Sequence, residues 1–260
     1  MQIDARKEWP IESYMQCWKL FRRMSDENKQ TAMHLLARRH WPHRDALTIL
    51  DVGCGDGLLL QAIIHLNEGS VAEVRLLDPD EVFLRQALEH ITETDVVNKV
   101  RRFVGRAEHC FTAACPGVTV VLALHVVYLM GEGEFAGMLG ALPPGIPLYV
   151  VLDTPGSIFT CLWKKTAERY RDRSASAHRI IEELDPVKFH VGYSTLTSSL
   201  SDPLTIKQRT VRDSILSILC YSDVSRMTSE TLAWVEQQIQ KHTIDGRIVC
   251  ESACYEVVRL

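Results

Sequence analysis

Residues 47–57 read Leu-Thr-Ile-Leu-Asp-Val-Gly-Cys-Gly-Asp-Gly. An apolar run of strand character stops at Asp51 and breaks into three alternating glycines, Gly53, Gly55 and Gly57, before helical periodicity resumes at Leu58. No other stretch restricts the fold as much. Glycine accepts positive φ and has no Cβ, so a ligand can lie against the main chain where a helix begins and its N–H groups point outward. The next strand-like run ends in Leu77-Asp78-Pro79. It falls about 20 residues on, where a carboxylate can accept both hydroxyls of a ribose. A strand-to-helix turn without any ligand also collects glycines, so the acid matters as much as the loop.

Alternation continues beyond the turn. Strands are expected at about 47–52, 72–77, 100–104, 118–124 and 147–152, with helical spacing between the first four, as in Val82-Phe83…Ala87-Leu88. The apolar stretch from Val118 to Met130 reads as a buried strand, too short to cross a bilayer. Alternating β and α implies a parallel, doubly wound sheet. After Asp153 the alternation lapses: helices are expected at 157–172, 174–184, 210–220 and 229–241, and strands near 188–198 and 247–258. The N-terminal segment 12–39 is additional to such a core. It sets Tyr14, Trp18 and Phe21 on one helix face at i, i+4, i+7, followed by Ser25-Asp26-Glu27 as a helix start. Three parts are expected: a helical cap over 1–40, a nucleotide-binding core over 41–155, and lid helices with closing strands over 156–260.

The chain has 260 residues, a formal net charge of −4 and 24% charged residues. It therefore lacks the basic footprint of a nucleic-acid or acidic-membrane binder. Eight cysteines form no Cys-x-x-Cys pair and no metal-ligand spacing with histidine, and the first residues carry no basic-then-apolar leader. Reduced thiols, a cytoplasmic setting, a monomer, and no metal, nucleic-acid or membrane partner are the expectations.

The dinucleotide pattern Gly-x-Gly-x-x-Gly is absent. The spacing Asp51-x-Gly53-x-Gly55-x-Gly57, followed by Asp78, instead resembles the first motif of the class I S-adenosylmethionine (SAM) methyltransferases. That resemblance implies a Rossmann-like fold of seven mostly parallel strands with helices on both faces, SAM as cofactor and S-adenosylhomocysteine as product. Asp51, Gly53, Gly55, Gly57, Asp78, Ala107, Leu124 and His125 would be the cofactor contacts. The flanking segments are similar to the histamine N-methyltransferase family: Tyr14, Trp18 and Glu27 keep its N-terminal spacing, Phe159 and Trp163-Lys164-Lys165 its motif after the fifth strand, and His125 with Tyr128 its motif at the end of the fourth. A pocket Asn of that family falls on Glu251, and a Gln on His125. The acceptor would then differ from histamine.

By this resemblance Tyr14, Trp18, Glu27, Tyr128, Phe159, Trp163 and Glu251 bind the acceptor, and His125 and Glu27 carry the catalytic roles. The residues allow plainer roles too. Glu27 can complement a helix terminus; Phe159 and Trp163 can be core; His125 can be a satisfied interior histidine; Glu251 can lie on a solvent face. Cys54 needs only to be small. The reaction implied is in-line transfer of the methyl group to nitrogen of a small amine or imidazole-like molecule, with positioning as the main source of rate and an imidazole or carboxylate to accept the proton. An aliphatic ammonium must first lose its proton, at a cost of about 4 kcal/mol near neutrality. The alternatives are cyclisation or elimination of SAM itself, and a silent SAM-binding protein that serves a partner.

Overall fold

The structure, a computed structural model, describes residues 11–38, 41–42 and 46–260. In order these form α1 (Ile11–Met24), α2 (Glu27–Leu36), β1 (Leu47–Val52), α3 (Leu58–Leu66), β2 (Val71–Asp78), α4 (Glu81–Thr92), β3 (Val100–Val104), α5 (Ala107–Ala114) and β4 (Val120–Leu124). There follow α6 (Glu132–Ala141), β5 (Pro147–Asp153), α7 (Ile158–Thr166), α8 (Glu168–Glu182), β6 (Phe189–Ser201), α9 (Arg209–Cys220), α10 (Ser229–His242), β7 (Thr243–Ile244) and β8 (Arg247–Arg259). The strands make one sheet in the order β3-β2-β1-β4-β5-β8-β6, with β7 paired to β8. The doubly wound α/β fold read from the sequence is the fold observed, with an eighth, two-residue strand added.

Chain contacts divide the molecule into two compact units. One comprises Asn28–Leu152, Arg173–Leu196 and Ala253–Leu260; the other comprises Met1–Glu27, Asp153–Asp172 and Thr197–Ser252.

The first unit owes its layering to the two-residue period of a strand. Leu50 and Val52 of β1 join Val121 and Ala123 of β4 and Val150 and Leu152 of β5 in a core covered by Phe111 of α5, Phe135 and Met138 of α6, and Ile181 of α8. Their neighbours Leu47 and Ile49, Val120 and Leu122, and Tyr149 and Val151 face the other way, under Leu35 of α2, Leu60 and Ile63 of α3, and Leu84 and Ala87 of α4. Both faces are dry, which is why these strands read as unbroken aliphatic runs. Each large side chain so buried contributes about 1.5–3 kcal/mol.

Two local expectations are corrected. The apolar stretch to Met130 is not one strand: β4 stops at Leu124, His125 turns left-handed at φ 54°, and a 3-10 turn spans Val127–Leu129. The helix expected over 157–172 breaks at Ala167, whose backbone lies at φ −151°, ψ 52°. There Thr166 Oγ1 donates to the carbonyls of Leu162 and Cys220, ending α7 and letting α8 begin at Glu168. The pair β7–β8 closes around Asp245-Gly246, both at positive φ. That dipeptide suits a tight hairpin whose two central residues are left-handed. All eight cysteines are free thiols. No helix among the described residues is long and apolar enough to cross a membrane.

Candidate functional site: a glycine loop locked to an acid

The loop after β1 hangs from the end of β2. The Gly53 and Cys54 amides both donate to the Leu77 carbonyl, at 2.7 and 3.3 Å. One residue on, Asp78 receives the Gly55 N–H on Oδ2 at 3.2 Å and the Asp80 N–H on Oδ1 at 2.9 Å. Loop and acid are thus one hydrogen-bonded assembly. A carboxylate offers about four lone-pair sites. Both oxygens take part in holding the backbone, and Asp78 is 2% exposed.

The three glycines differ in why they are glycine. A Cβ on Gly53 would lie 2.1 Å from Val126 Cγ2, and one on Gly57 would lie 2.7 Å from the Ala87 Cα, so both mark places where another element presses on the loop. A Cβ on Gly55 would meet nothing within 4 Å, yet its φ is +53°. Gly55 therefore presents bare backbone to open space beside a carboxylate. These residues fit the adenosyl cofactor that the sequence pattern implies.

Beneath the loop, Asp56 Oδ1 accepts the Leu58 N–H at 3.2 Å at the start of α3, and the Asp56 carbonyl lies 2.8 Å from His90 Nδ1 on α4. Gln61 of α3 returns to the His90 carbonyl at 2.7 Å. Sequence reasoning missed this brace. Its only trace was that Ala87 and His90 stand at i, i+3 and so share a helix face. Burial, followed by the neighbouring charges of Asp51, Asp78 and Asp56, pushes the Cys54 thiol well above its ordinary range, which keeps it protonated and inert.

Leu124 ends β4 between β1 and β5, and the amide of the next residue, His125, donates to the Val151 carbonyl at 2.7 Å. A non-glycine residue in the left-handed region costs energy and is commonest at functional positions, histidine being among those that tolerate it best. Tyr128 lies buried in the following 3-10 turn. Ala107 opens α5, but its amide is taken by Glu134 Oε1 at 3.1 Å, with Arg106 on the other Glu134 oxygen at 2.9 Å. Ala107 is left with its methyl group as a contact surface.

Tyr14, Trp18, Glu27, Phe159, Trp163 and Glu251 belong to the second unit. Aromatic rings there form a closed circuit. Tyr14 stacks on Trp18 at 6.2 Å and Trp18 on Phe21 at 5.4 Å; Phe21 meets Phe159 at 6.0 Å, Phe159 meets Trp163 at 6.1 Å, and Tyr221 closes the ring to Trp163 at 6.3 Å and to Tyr14 at 6.2 Å. Trp163 is 2% exposed and its indole N–H donates to the Leu219 carbonyl at 3.2 Å, so it packs as core. The Arg22 guanidinium carbon sits 4.8 Å above the Trp18 ring, a cation supplied by the chain itself. Tyr221 lay outside the sequence pattern because its left-handed backbone caps α9.

Glu27 is 9% exposed and opens α2, where its N–H donates to Ser25 Oγ at 3.1 Å. Asp26, expected in that first turn, instead receives the Ser199 N–H and hydroxyl at 2.6 and 2.9 Å. Burial and then the charges of Glu27, Asp153 and Asp26 raise the Cys250 thiol of β8. Asp153 accepts the Ser157 hydroxyl at 3.2 Å. Glu251 is exposed and takes the Thr154 hydroxyl on Oε2 at 3.3 Å, on the solvent side of its strand.

No family model matches the chain, and no curated protein matches it in sequence. Among solved structures, the YcgJ protein of Bacillus subtilis superposes with TM-score 0.52 at 13% identity, over 87% of this chain and 98% of that one. The plantazolicin methyltransferase BamL, in complex with a triazolic desmethylPZN analog and SAH, gives 0.51 at 11% identity over 98% and 94%. A protein of Bacillus halodurans C-125 described as a candidate methyltransferase gives 0.50 at 17% identity over 89% and 97%. At these identities the likeness is one of fold.

Proposed function

We propose that the chain is a SAM-dependent methyltransferase acting on nitrogen of a small amine or imidazole-like molecule. The observation that carries the cofactor assignment is the Gly55 amide held on Asp78 Oδ2 beside open space. A neighbour of the same fold crystallised with SAH supports it. When bound, SAM supplies an electrophilic methyl group. The chain supplies binding and orientation: Gly53 to Gly57 present backbone, Asp78 is the carboxylate assigned to the ribose hydroxyls, and Leu124 and the Ala107 methyl give apolar contact.

The choice of a nitrogen acceptor rests on Glu27. The resemblance assigns Glu27 to the acceptor, and a carboxylate on the same unit as the aromatic faces of Tyr14, Trp18 and Phe159 favours a ligand that is positively charged or bears N–H. His125 is the group assigned to accept the proton. Glu251 lies at the margin of this assignment, and Trp163 and Tyr128 support the neighbouring residues by packing.

Mass spectrometry after incubation with SAM alone, and with SAM plus a panel of amines and imidazoles, tests the proposal. Methylated amine with stoichiometric S-adenosylhomocysteine is the expected result. Consumption of SAM without an acceptor would establish cyclisation or elimination instead, and tight binding without turnover of any kind would establish a non-catalytic role.

A further inference from the structure

β3 is the terminal strand of the sheet, and between it and α4 lies a groove of about 620 Å3 lined by Glu81, Leu84 and Arg85 from the helix and by residues 101–104 from the strand. Leu84 is fully buried and Phe103 partly so, which gives the groove an apolar floor. Arg85 projects from the helix and Arg102 from the strand, and both are exposed. Among the described residues neither guanidinium has a carboxylate within ion-pair distance. Arg101 pairs with Glu73, Arg106 with Glu134, Arg171 with Glu168 and Arg179 with Glu132. The chain has 33 acidic residues against 29 lysines and arginines, so acids are not scarce.

Charge on an edge strand is a common guard against strand addition by another molecule. That explains Arg101 and Arg102. It does not explain Arg85, which belongs to the helix, nor the apolar floor between the two unpaired forks.

We propose that this groove is a binding site for a small molecule with an apolar body and one strongly acidic end, a phosphate or paired carboxylate group. The planar guanidinium matches such an end with two parallel N–H donors. Leu84 and Phe103 would take the apolar body. Glu81, on the same lining, repels a second acidic end and selects ligands whose other polar groups donate. None of the lining residues belongs to the glycine loop, so the inference is independent of the methyltransferase reading.

The probes are phenyl phosphate and phthalate, with phenol as the neutral control, titrated calorimetrically into the full chain at low and at physiological salt. At least one anion is expected to bind saturably, more weakly as salt rises, while phenol does not. Arg85→Gln and Arg102→Gln should each weaken that binding at least tenfold, and both should leave the melting temperature and S-adenosylhomocysteine affinity unchanged because the side chains are exposed and, among the described residues, neither has a hydrogen bond to the loop or to Asp78 to lose. The tighter anion tells phosphate from carboxylate. Absence of saturable binding by either anion, or equal binding by the two variants, overturns the proposal.

Discussion

His90 Nδ1 on α4 stands 2.8 Å from the carbonyl oxygen of Asp56 and so fixes, from 34 residues away, the middle of the glycine loop. The contact holds the peptide that joins Asp56 to Gly57, next to the residue whose amide is tied to Asp78. Removing it should loosen the loop without touching any ligand. His90→Ala is expected to weaken S-adenosylhomocysteine binding by about 1 kcal/mol, the usual worth of one neutral hydrogen bond. His90→Asn, which can present a donor near the same place, should recover part of the loss. Calorimetry showing no change in His90→Ala would make the brace structural only.

Asp78→Ala removes an acceptor from two backbone amides as well as from the ribose. Affinity should fall by about 1.5–3 kcal/mol, the range for hydrogen bonds to charged groups. The melting temperature should fall too, because Gly55 and Asp80 lose their partner. Full affinity in this variant would remove Asp78 from the cofactor site.

Alanine at the loop glycines separates packing from binding. Gly53→Ala drives a Cβ into Val126 and should lower stability by several kcal/mol, whereas Gly55→Ala meets open space and bears only backbone strain of about 1–3 kcal/mol. Paired thermal melts and S-adenosylhomocysteine titrations are the check. Gly55→Ala should fold and bind poorly; normal binding would place the cofactor away from Gly55.

Glu27→Gln keeps the shape of a buried side chain and removes its charge. The Michaelis constant for amines should rise about tenfold, an effect of roughly 1.4 kcal/mol, while S-adenosylhomocysteine affinity stays nearly constant. A steady-state comparison over amines, imidazoles and phenols decides it. Preference for phenols, or loss of cofactor binding in the variant, would end the cation-recognition reading.

Alkali should unfold the chain early. Burial raises the thiols of Cys115 and Cys254 to about 11 and that of Cys220 to about 12, against an ordinary value of 9. Between those limits the folded chain keeps protons that the unfolded chain releases. The unfolded state then binds fewer protons, and rising pH favours it. Stability should decline from about pH 9 upward, by about 1.4 kcal/mol per pH unit for each such thiol. Urea melts at pH 8, 9.5 and 10.5 measure the slope, and replacing Cys115 by Ala should reduce it.

The sheet was legible because parallel strands buried on both faces must be aliphatic throughout, as β1, β4 and β5 are. Strand ends were less so. The same burial that makes Val118 to Met130 look continuous conceals the turn at His125, a matter of one backbone angle. The glycines and Asp78 announced themselves by spacing. His90, Val126 and Glu134 did not, since their contact with the site is made by tertiary packing and leaves no local pattern. The aromatic residues on α1 and α7 declared a shared face but not what that face meets, and Trp163 proved to spend its indole N–H on the interior.

The Gly55–Asp78 hydrogen bond also carries a consequence for the time course of binding. A loop already tied to its acid and braced by His90 has no rearrangement of its own to complete when a ligand arrives. Encounter at the loop should therefore be a single event whose observed rate climbs in proportion to ligand concentration without levelling off, and any slower phase must arise elsewhere in the chain.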